Sequence, residues 1–294
     1  MDSRSRKRAR YTLKGGNMSI FDKELFKNRN KIEKAIEFLK EFEPPEGYYT
    51  TFSGGKDSIT IEHLCKLAEV KYDLHHSYTT VDPPEVFKFI KENYPNCEIH
   101  KPEKSMFQWI LHKKMPPTRM VRYCCDKLKE GGGEGRVIVT GVRWAESTKR
   151  KTNRKEVELF DKSTSKKTLE LKEIILNGDN DTRRKTVEMC MQKRKWVVNP
   201  IISWTDAEVW EFIKYYKLPY PKLYDQGFKR IGCIGCPLSS NGREELEKFP
   251  KFKNAYINCF EKMIKIRNEE GFKTDWKTGE EVLEWYLPTK KNKK

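Results

Sequence analysis

No apolar run in this chain is long enough for a helical membrane span, and no membrane partner is expected. The basic N-terminus lacks the apolar core of a secretion signal, so the expected location is cytoplasmic. Hydrophobic residues make up 36% of the chain, a low share for a globular protein until charged loops and tails are set aside. Two common phosphate-binding patterns are missing. There is no Gly, four residues, Gly-Lys-Ser/Thr, which argues against kinase-like transfer of a terminal phosphate, and no Gly-x-Gly-x-x-Gly, which argues against a dinucleotide fold. No histidine follows His112, and no cysteine lies near a histidine in a pattern that suggests a cysteine nucleophile. Eight cysteines in a cytoplasmic chain are not expected to build a disulfide framework, so clustered ones ask for a metal or redox explanation.

What the chain has in excess is positive charge. Sixty Lys and Arg face 43 Asp and Glu, giving a formal net charge of +17 and a pI of about 9.4. Such an excess fits a polyanionic partner, nucleic acid foremost, although a solvated basic surface gives the same count. At 294 residues the chain can bury a sizeable core, and one catalytic domain with additions is the expected organisation.

The chain is organised around Ser53-Gly54-Gly55-Lys56-Asp57-Ser58, which follows the short extended run Tyr48 to Phe52 and opens a helical one. Two adjacent glycines let successive N–H groups turn inward onto phosphate oxygens, and the next helix aims its positive N-terminus at the same anion. Ser53 and Ser58 add hydroxyl donors, Lys56 adds a mobile charge, and Asp57 can hold the Mg²⁺ that accompanies a nucleotide phosphate. The competing explanation is an ordinary strand-to-helix turn. A lone Gly-Gly would favour that, but Gly-Gly with Ser, Lys, Asp and Ser in this order favours a pyrophosphate cradle.

Along the chain, residues 1–18 form a basic tail expected to be disordered, and 19–45 an N-terminal helix stopped by Pro44-Pro45. Residues 46–240 form the catalytic domain and 241–294 a helical C-terminal region ending in a basic tail. Strand-like runs at Tyr48 to Phe52, Tyr72 to Tyr78, Cys97 to His100, Arg136 to Thr140 and Val197 to Ile202 alternate with helical patterns. The fold class is therefore α/β: a doubly wound, mostly parallel five-stranded sheet with helical N- and C-terminal additions. Ligands of such sheets bind beyond the carboxyl ends of the strands where strand order reverses. The cradle, Thr79-Thr80-Val81-Asp82 and Gly141-Val142-Arg143 are expected to converge there. The segment 149–195 carries 15 Lys or Arg against 8 acids and reads equally as a solvated helical insertion or as a mobile basic flap over a polyanionic substrate. One helix is expected from Trp204 to Tyr216, capped by Thr205 or Asp206, and another from Glu244 to about Arg267.

Cys124-Cys125 and Cys233-Ile234-Gly235-Cys236 are the second informative constellation. Four such thiolates satisfy either one zinc ion or a [4Fe–4S] cluster. Adjacent cysteines do not easily both reach one small tetrahedral ion, whereas a cubane has separate iron corners, so the cluster is favoured over zinc, and both over inert thiols. Cys65, Cys97, Cys190 and Cys259 are isolated and read as structural.

Ser53 to Ser58 resembles the motif of the PP-loop adenine-nucleotide α-hydrolases. Tyr123 to Lys129, Gly141-Val142-Arg143 with Glu146-Ser147 and Arg150, Asn199-Pro200-Ile201 with Trp204, Asp206, Val209 and Trp210, and Gly232-Cys233 to Cys236-Pro237 are similar to signals of the phosphoadenosine phosphosulfate reductase family within that group. The resemblance covers roughly Tyr48 to Ser240. It implies a [4Fe–4S] cluster on Cys124, Cys125, Cys233 and Cys236, adenine binding near Thr79 to Asp82, and phosphate or substrate contacts from Arg143 and Arg150, with Gly141, Glu146 and Ser147 in the same binding set.

Two departures redirect the expected function. Reductases of this family carry a Glu-Cys-Gly-x-His whose cysteine attacks the sulfonucleotide, whereas the last cysteine here sits in Asn258-Cys259-Phe260. They also tend to lose the full Ser-Gly-Gly-x-Asp-Ser form, which this chain keeps. Both favour ATP-dependent adenylation followed by sulfur transfer, as in iron–sulfur sulfurtransferases for transfer RNA and, closest in motif order, for DNA phosphorothioation. Lys56, Asp57 and Arg143 are the expected catalytic residues, nucleic acid the expected acceptor and a cysteine desulfurase the expected sulfur donor. A reductase acting on adenylyl sulfate or its phosphorylated form is the second reading. A non-catalytic nucleic-acid-binding module of a defence or mobile-element system is the third.

Overall fold

The computed structural model describes residues 29–160 and 195–287. The expected basic tails and residues 161–194 of the insertion lie outside the described residues. The described chain runs α1 (Arg29–Glu41), β1 (Tyr48–Thr51), α2 (Lys56–Ala68), β2 (Tyr72–Ser77), α3 (Pro84–Asn93), β3 (Glu98–His100), α4 (Met106–Lys113), α5 (Tyr123–Leu128) and β4 (Val137–Val139). A single 3₁₀ turn (Trp144–Glu146) then leads to α6 (Thr148–Asn153), β5 (Val157–Phe160), β6 (Lys195–Val198), α7 (Asp206–Tyr215), α8 (Gly242–Lys248), α9 (Pro250–Glu269) and α10 (Gly279–Tyr286). No helix among the described residues is long and apolar enough to cross a membrane.

The sheet has six strands rather than the expected five, in the order β3-β2-β1-β4-β6-β5. The first five in that order are parallel, and β5 runs antiparallel to β6 along the edge, pairing Val157 with Val198 and Phe160 with Lys195. The extra strand comes from the insertion, so that segment is neither purely helical nor purely a flap. Its apolar residues Val157, Leu159 and Phe160 flank Glu158 among charged neighbours, which hides the strand pattern. Asn199 ties this edge together. It is fully buried, its amide donates to Glu158 Oε1 (2.9 Å) and to the Lys155 carbonyl (2.8 Å), and its carbonyl accepts from Thr140. The Asn199-Pro200-Ile201 motif is thus a strand clamp.

Apolar side chains from the strands meet α1, α2 and α7 in one core that includes Leu39, Tyr48, Leu64, Val139, Trp204 and Phe212. Helix α7 is started by Thr205, whose hydroxyl accepts from Glu208 N while the Glu208 carboxylate accepts from Thr205 N, a capping box that assigns the cap to Thr205 rather than Asp206. A second core joins α4 to α8, α9 and α10 through Ile110, Tyr256, Phe260, Val282 and Tyr286. The C-terminal helical region expected from Glu244 is divided into two helices, because Pro250 has no N–H to continue α8 and opens α9 instead. The buried thiols of Cys65, Cys97 and Cys259 are each pushed up to about 12, chiefly by desolvation, as suits structural cysteines. Strand order reverses between β1 and β4, so the loops after these two strands face each other at the point where such sheets bind ligands.

Candidate active site

The helix after β1 begins three residues earlier than its apolar pattern indicates, at Lys56, so Lys56, Asp57 and Ser58 form its first turn. Gly54 has φ +71° and lies so close to Val86 and Ile90 that a Cβ would meet them at 2.9 and 3.0 Å, so both backbone and space require glycine. Ser58 Oγ donates to the Gly55 carbonyl (2.9 Å) and lies 3.3 Å from Ser53 Oγ, closing the loop on itself. On the facing side, a Cβ on Gly141 would come within 3.0 Å of the Asp57 backbone. Only glycine lets the chain after β4 pass so near the loop, and this approach delivers Arg143 to the helix N-terminus.

Four charges close a ring there. Lys56 Nζ lies 3.4 Å from Asp57 Oδ2, Asp57 Oδ1 is 2.7 Å from Arg143 Nε, Arg143 Nη2 is 2.9 Å from Asp206 Oδ1, and that same oxygen is 3.1 Å from Lys56 Nζ. The two cationic side chains are 4% and 2% exposed, a burial tolerable only because each cation meets two carboxylates. Arg143 also donates to the Trp204 carbonyl at 3.3 Å. Burial raises the Asp206 pKa, but Lys56 and Arg143 outweigh it and hold Asp206 below its ordinary value. Tyr224 completes the site: its hydroxyl accepts from the Lys56 backbone N–H at 2.9 Å and its ring lies 5.9 Å from Lys56 Nζ. Beside the ring, Arg150 pairs with Glu146, whose carboxylate also accepts from Arg143 N at 3.2 Å, while Ser147 caps α6 by accepting from Arg150 N. Burial and the neighbouring charges of Arg230 and Arg154 pull Arg150 down to about 10. A ring of balanced charge with crowded cations beside it is an arrangement that a bound polyphosphate would relieve.

The Thr79 to Asp82 turn lies against the cysteines. Asp82 Oδ2 accepts from Thr79 N (2.7 Å), Thr80 Oγ1 from Met106 N (3.0 Å), and the Val81 carbonyl from Ile234 N (2.8 Å). Cys233 Sγ lies 3.5 Å from Thr79 Oγ1. Cys124 and Cys125 are neighbours on α5. The Cys124 thiol and the Arg122 charge hold Cys125 below its ordinary value, while Cys125, burial, Cys236 and Cys233 push Cys124 up. Lys129 is raised above its ordinary value by Cys233 first and by Asp82. Tyr256 of α9 donates to the Ile234 carbonyl at 3.1 Å, so the C-terminal helices form part of the wall of the cysteine pocket. The donor set is therefore four partly buried thiols with cations beside them, which suits a metal centre. Among the described residues no three of these sulfurs lie within 4.8 Å of one another. One zinc ion, with Zn–S bonds of about 2.3 Å, needs a tighter set, whereas a cubane spaces its ligands more widely.

Asp206, Tyr224, Lys129 and Arg230 were not among the residues expected at these sites. Asp206 carried a signal, since it follows Trp204 and Thr205 in the motif, but it reads there as a helix cap. Tyr224 and Arg230 lie in a stretch with no periodic pattern.

The chain matches the phosphoadenosine phosphosulfate reductase domain over residues 47–239. It belongs to this family. Within the family it is similar to the phosphoadenosine 5'-phosphosulfate reductase of Xylella fastidiosa, with 37% identity over 78 residues, 26% of this chain and 33% of that enzyme. The matching stretch thus spans about a third of that reductase. The adenosine 5'-phosphosulfate reductase of Oceanobacillus iheyensis is 24% identical over 221 residues, covering 70% of this chain and 78% of the enzyme. Among solved structures, the phosphoadenylyl-sulfate reductase of Candida auris has a TM-score of 0.44 and 18% identity, covering 68% of this chain and 88% of that one.

Proposed function

We propose that this family member is a PP-loop enzyme that cleaves ATP between its α and β phosphates to adenylate an acceptor for sulfur transfer. The observation that carries the reading is the charge ring of Lys56, Asp57, Arg143 and Asp206 at the N-terminus of α2. An acceptor oxygen attacks the α-phosphorus, a new O–P bond forms, and the bond to the bridging oxygen breaks with pyrophosphate as leaving group. Lys56 exchanges its carboxylate partners for the departing phosphates, Arg143 stays to neutralise charge beside them, and Asp57 holds Mg²⁺. The terminal sulfur of a persulfide then attacks the adenylated atom, AMP leaves with the acceptor oxygen, and a thiol reductant cleaves the S–S bond to leave the sulfur on the acceptor. Cys124, Cys125, Cys233 and Cys236 would hold a [4Fe–4S] cluster, whose chemistry when bound is to carry or orient that sulfur. A cysteine desulfurase supplies the sulfur, and the +17 charge favours a nucleic-acid acceptor held by salt-sensitive backbone contacts.

The second reading, reduction of a sulfonucleotide, is favoured by the names of the relatives in Xylella and Oceanobacillus. It requires an attacking thiol, and Cys259 is unsuited: it is 5% exposed and protonated, with Sγ 3.5 Å from the Phe107 carbonyl. Anaerobically purified protein should release AMP and pyrophosphate from ATP with a nucleic-acid acceptor and release no sulfite from phosphoadenylyl sulfate. Sulfite release without AMP would replace the first reading with the second.

A further inference from the structure

On the strand pair at the far edge of the sheet, β2 and β3 bring three further metal donors together. Parallel register sets His75 opposite Glu98 and Ser77 opposite His100, so His75, Glu98 and His100 share one face. Among the described residues, these three form the one group of His, Cys, Asp or Glu donors whose ligand atoms all lie within 4.8 Å of one another. His75 Nδ1 lies 2.9 Å from His100 Nε2 and 3.5 Å from Glu98 Oε2. Zinc–nitrogen bonds of about 2.0 to 2.1 Å in a tetrahedron place neighbouring donors about 3.3 Å apart. The observed separations bracket that value, and Glu98 is exposed enough to swing in.

The surroundings orient the rings as a metal site requires. Asp73 Oδ1 lies 3.2 Å from His75 Nε2, and Arg136 holds Asp73 through two bonds of 2.9 and 3.0 Å. The carboxylate sits beside Nε2 without a hydrogen bond to it, and its negative charge favours a proton on that nitrogen, which leaves the Nδ1 lone pair for a metal. Tyr49 stacks on His75 at a centroid distance of 3.7 Å and an interplanar angle of 3°, fixing the ring plane. His100 Nε2 faces His75 Nδ1 and the Tyr49 hydroxyl, the latter 3.5 Å away, and His100 Nδ1 lies 3.6 Å from Glu98 Oε1, so the donors converge on one point. Burial lowers the pKa of His75 and so favours its ligating form.

We propose that His75, His100 and Glu98 bind a Zn²⁺ ion, with Asp73 as the group that orients His75 and the remaining position left to water. None of these donors belongs to the nucleotide loop or the cysteine pocket, so the site is additional to the function proposed above. The test is titration of the full-length protein with Co²⁺ as a spectroscopic surrogate, comparing the Cys124→Ser/Cys233→Ser protein with the same protein carrying His100→Ala or Glu98→Ala. The expected result is one equivalent of Co²⁺ with visible d–d bands and no sulfur-to-cobalt band, lost in both further variants and weakened about 10- to 100-fold by Asp73→Asn. Thermal melts establish that each variant is folded, and Glu98→Ala, an exposed substitution, serves if His100→Ala does not fold. Absence of this equivalent before the histidine or glutamate is changed, or its persistence in a folded His100→Ala or Glu98→Ala variant, overturns the proposal. The two imidazoles would then be only a hydrogen-bonded pair.

Discussion

The nucleotide loop and the cysteine pocket stand at the same end of one sheet and are built on opposite principles. At the loop, every buried charge has its counter-charge inside the chain, since Lys56, Asp57, Arg143 and Asp206 neutralise one another at distances of 2.7 to 3.4 Å. At the pocket, the Cys124 thiol and the Arg122 charge hold Cys125 below its ordinary value, and Lys129 is raised by Cys233. The first site is internally complete and must break ion pairs to bind its ligand. The second gathers four partly buried thiols beside cations, a donor set that suits a metal centre. Removing a side chain should therefore cost fold stability at the loop and cofactor content at the pocket.

Arg143→Ala is the strongest test. It leaves Asp57 and Asp206 to share Lys56 alone, and an expected loss of about 3 kcal/mol, the low end for breaking a buried pair, is read as a lower urea midpoint. Arg143→Lys should recover only part of it, because an ammonium cannot reproduce the fork that reaches both carboxylates. A midpoint unchanged in Arg143→Ala would show that the ring is ornamental. Lys56→Ala is expected to reduce AMP formation by about 10² to 10³-fold, the loss typical of one donor to developing charge. AMP formation at the wild-type rate would remove Lys56 from the mechanism.

The pocket side is tested by Cys233→Ser. Iron and acid-labile sulfide should fall in anaerobically prepared protein while ATP binding persists, since Cys233 Sγ touches the Thr79 hydroxyl but no part of the charge ring that holds the phosphates. Loss of ATP binding together with iron would mean that the two regions are one.

Two smaller effects sharpen the contrast. Tyr224→Phe removes the acceptor from the Lys56 N–H and should cost about 1 kcal/mol without nucleotide, shrinking when ATP supplies a phosphate oxygen instead. Asp206→Asn should cost less than about 1 kcal/mol, because that carboxylate is largely exposed. Its pKa is depressed in the folded protein, so its contribution is present above the unfolded carboxylate value and fades as pH falls through the folded one. The difference between wild type and Asp206→Asn should therefore be full at pH 7 and vanish in acid. A difference that grows in acid would contradict the ion pairs.

The elements that were legible in the sequence are those whose signal is local. Apolar strands such as Val137 to Val139 and the Gly-Gly-Lys-Asp-Ser run announce themselves over a few residues. The edge strand β5 did not, because Val157-Glu158-Leu159-Phe160 is embedded in charges and acquires strand form only by pairing with β6. Asp206 and Tyr224 join the nucleotide loop only through tertiary placement, from 149 and 168 positions beyond Asp57 and Lys56, and no spacing rule links them. The cysteines were visible as a set, but the participation of Tyr256 and α10 in their pocket depends on how the C-terminal helices fold back.

The antiparallel edge has a consequence for how this protein can vary. Phe160 and Lys195 are paired neighbours, so the chain leaves and re-enters the sheet at a single clamped doorway locked by Asn199. Doubling or halving the intervening length changes the closure cost by only about 0.6 kcal/mol. The 34 residues between them join two positions that the sheet already holds side by side, so their number is only weakly constrained by the fold.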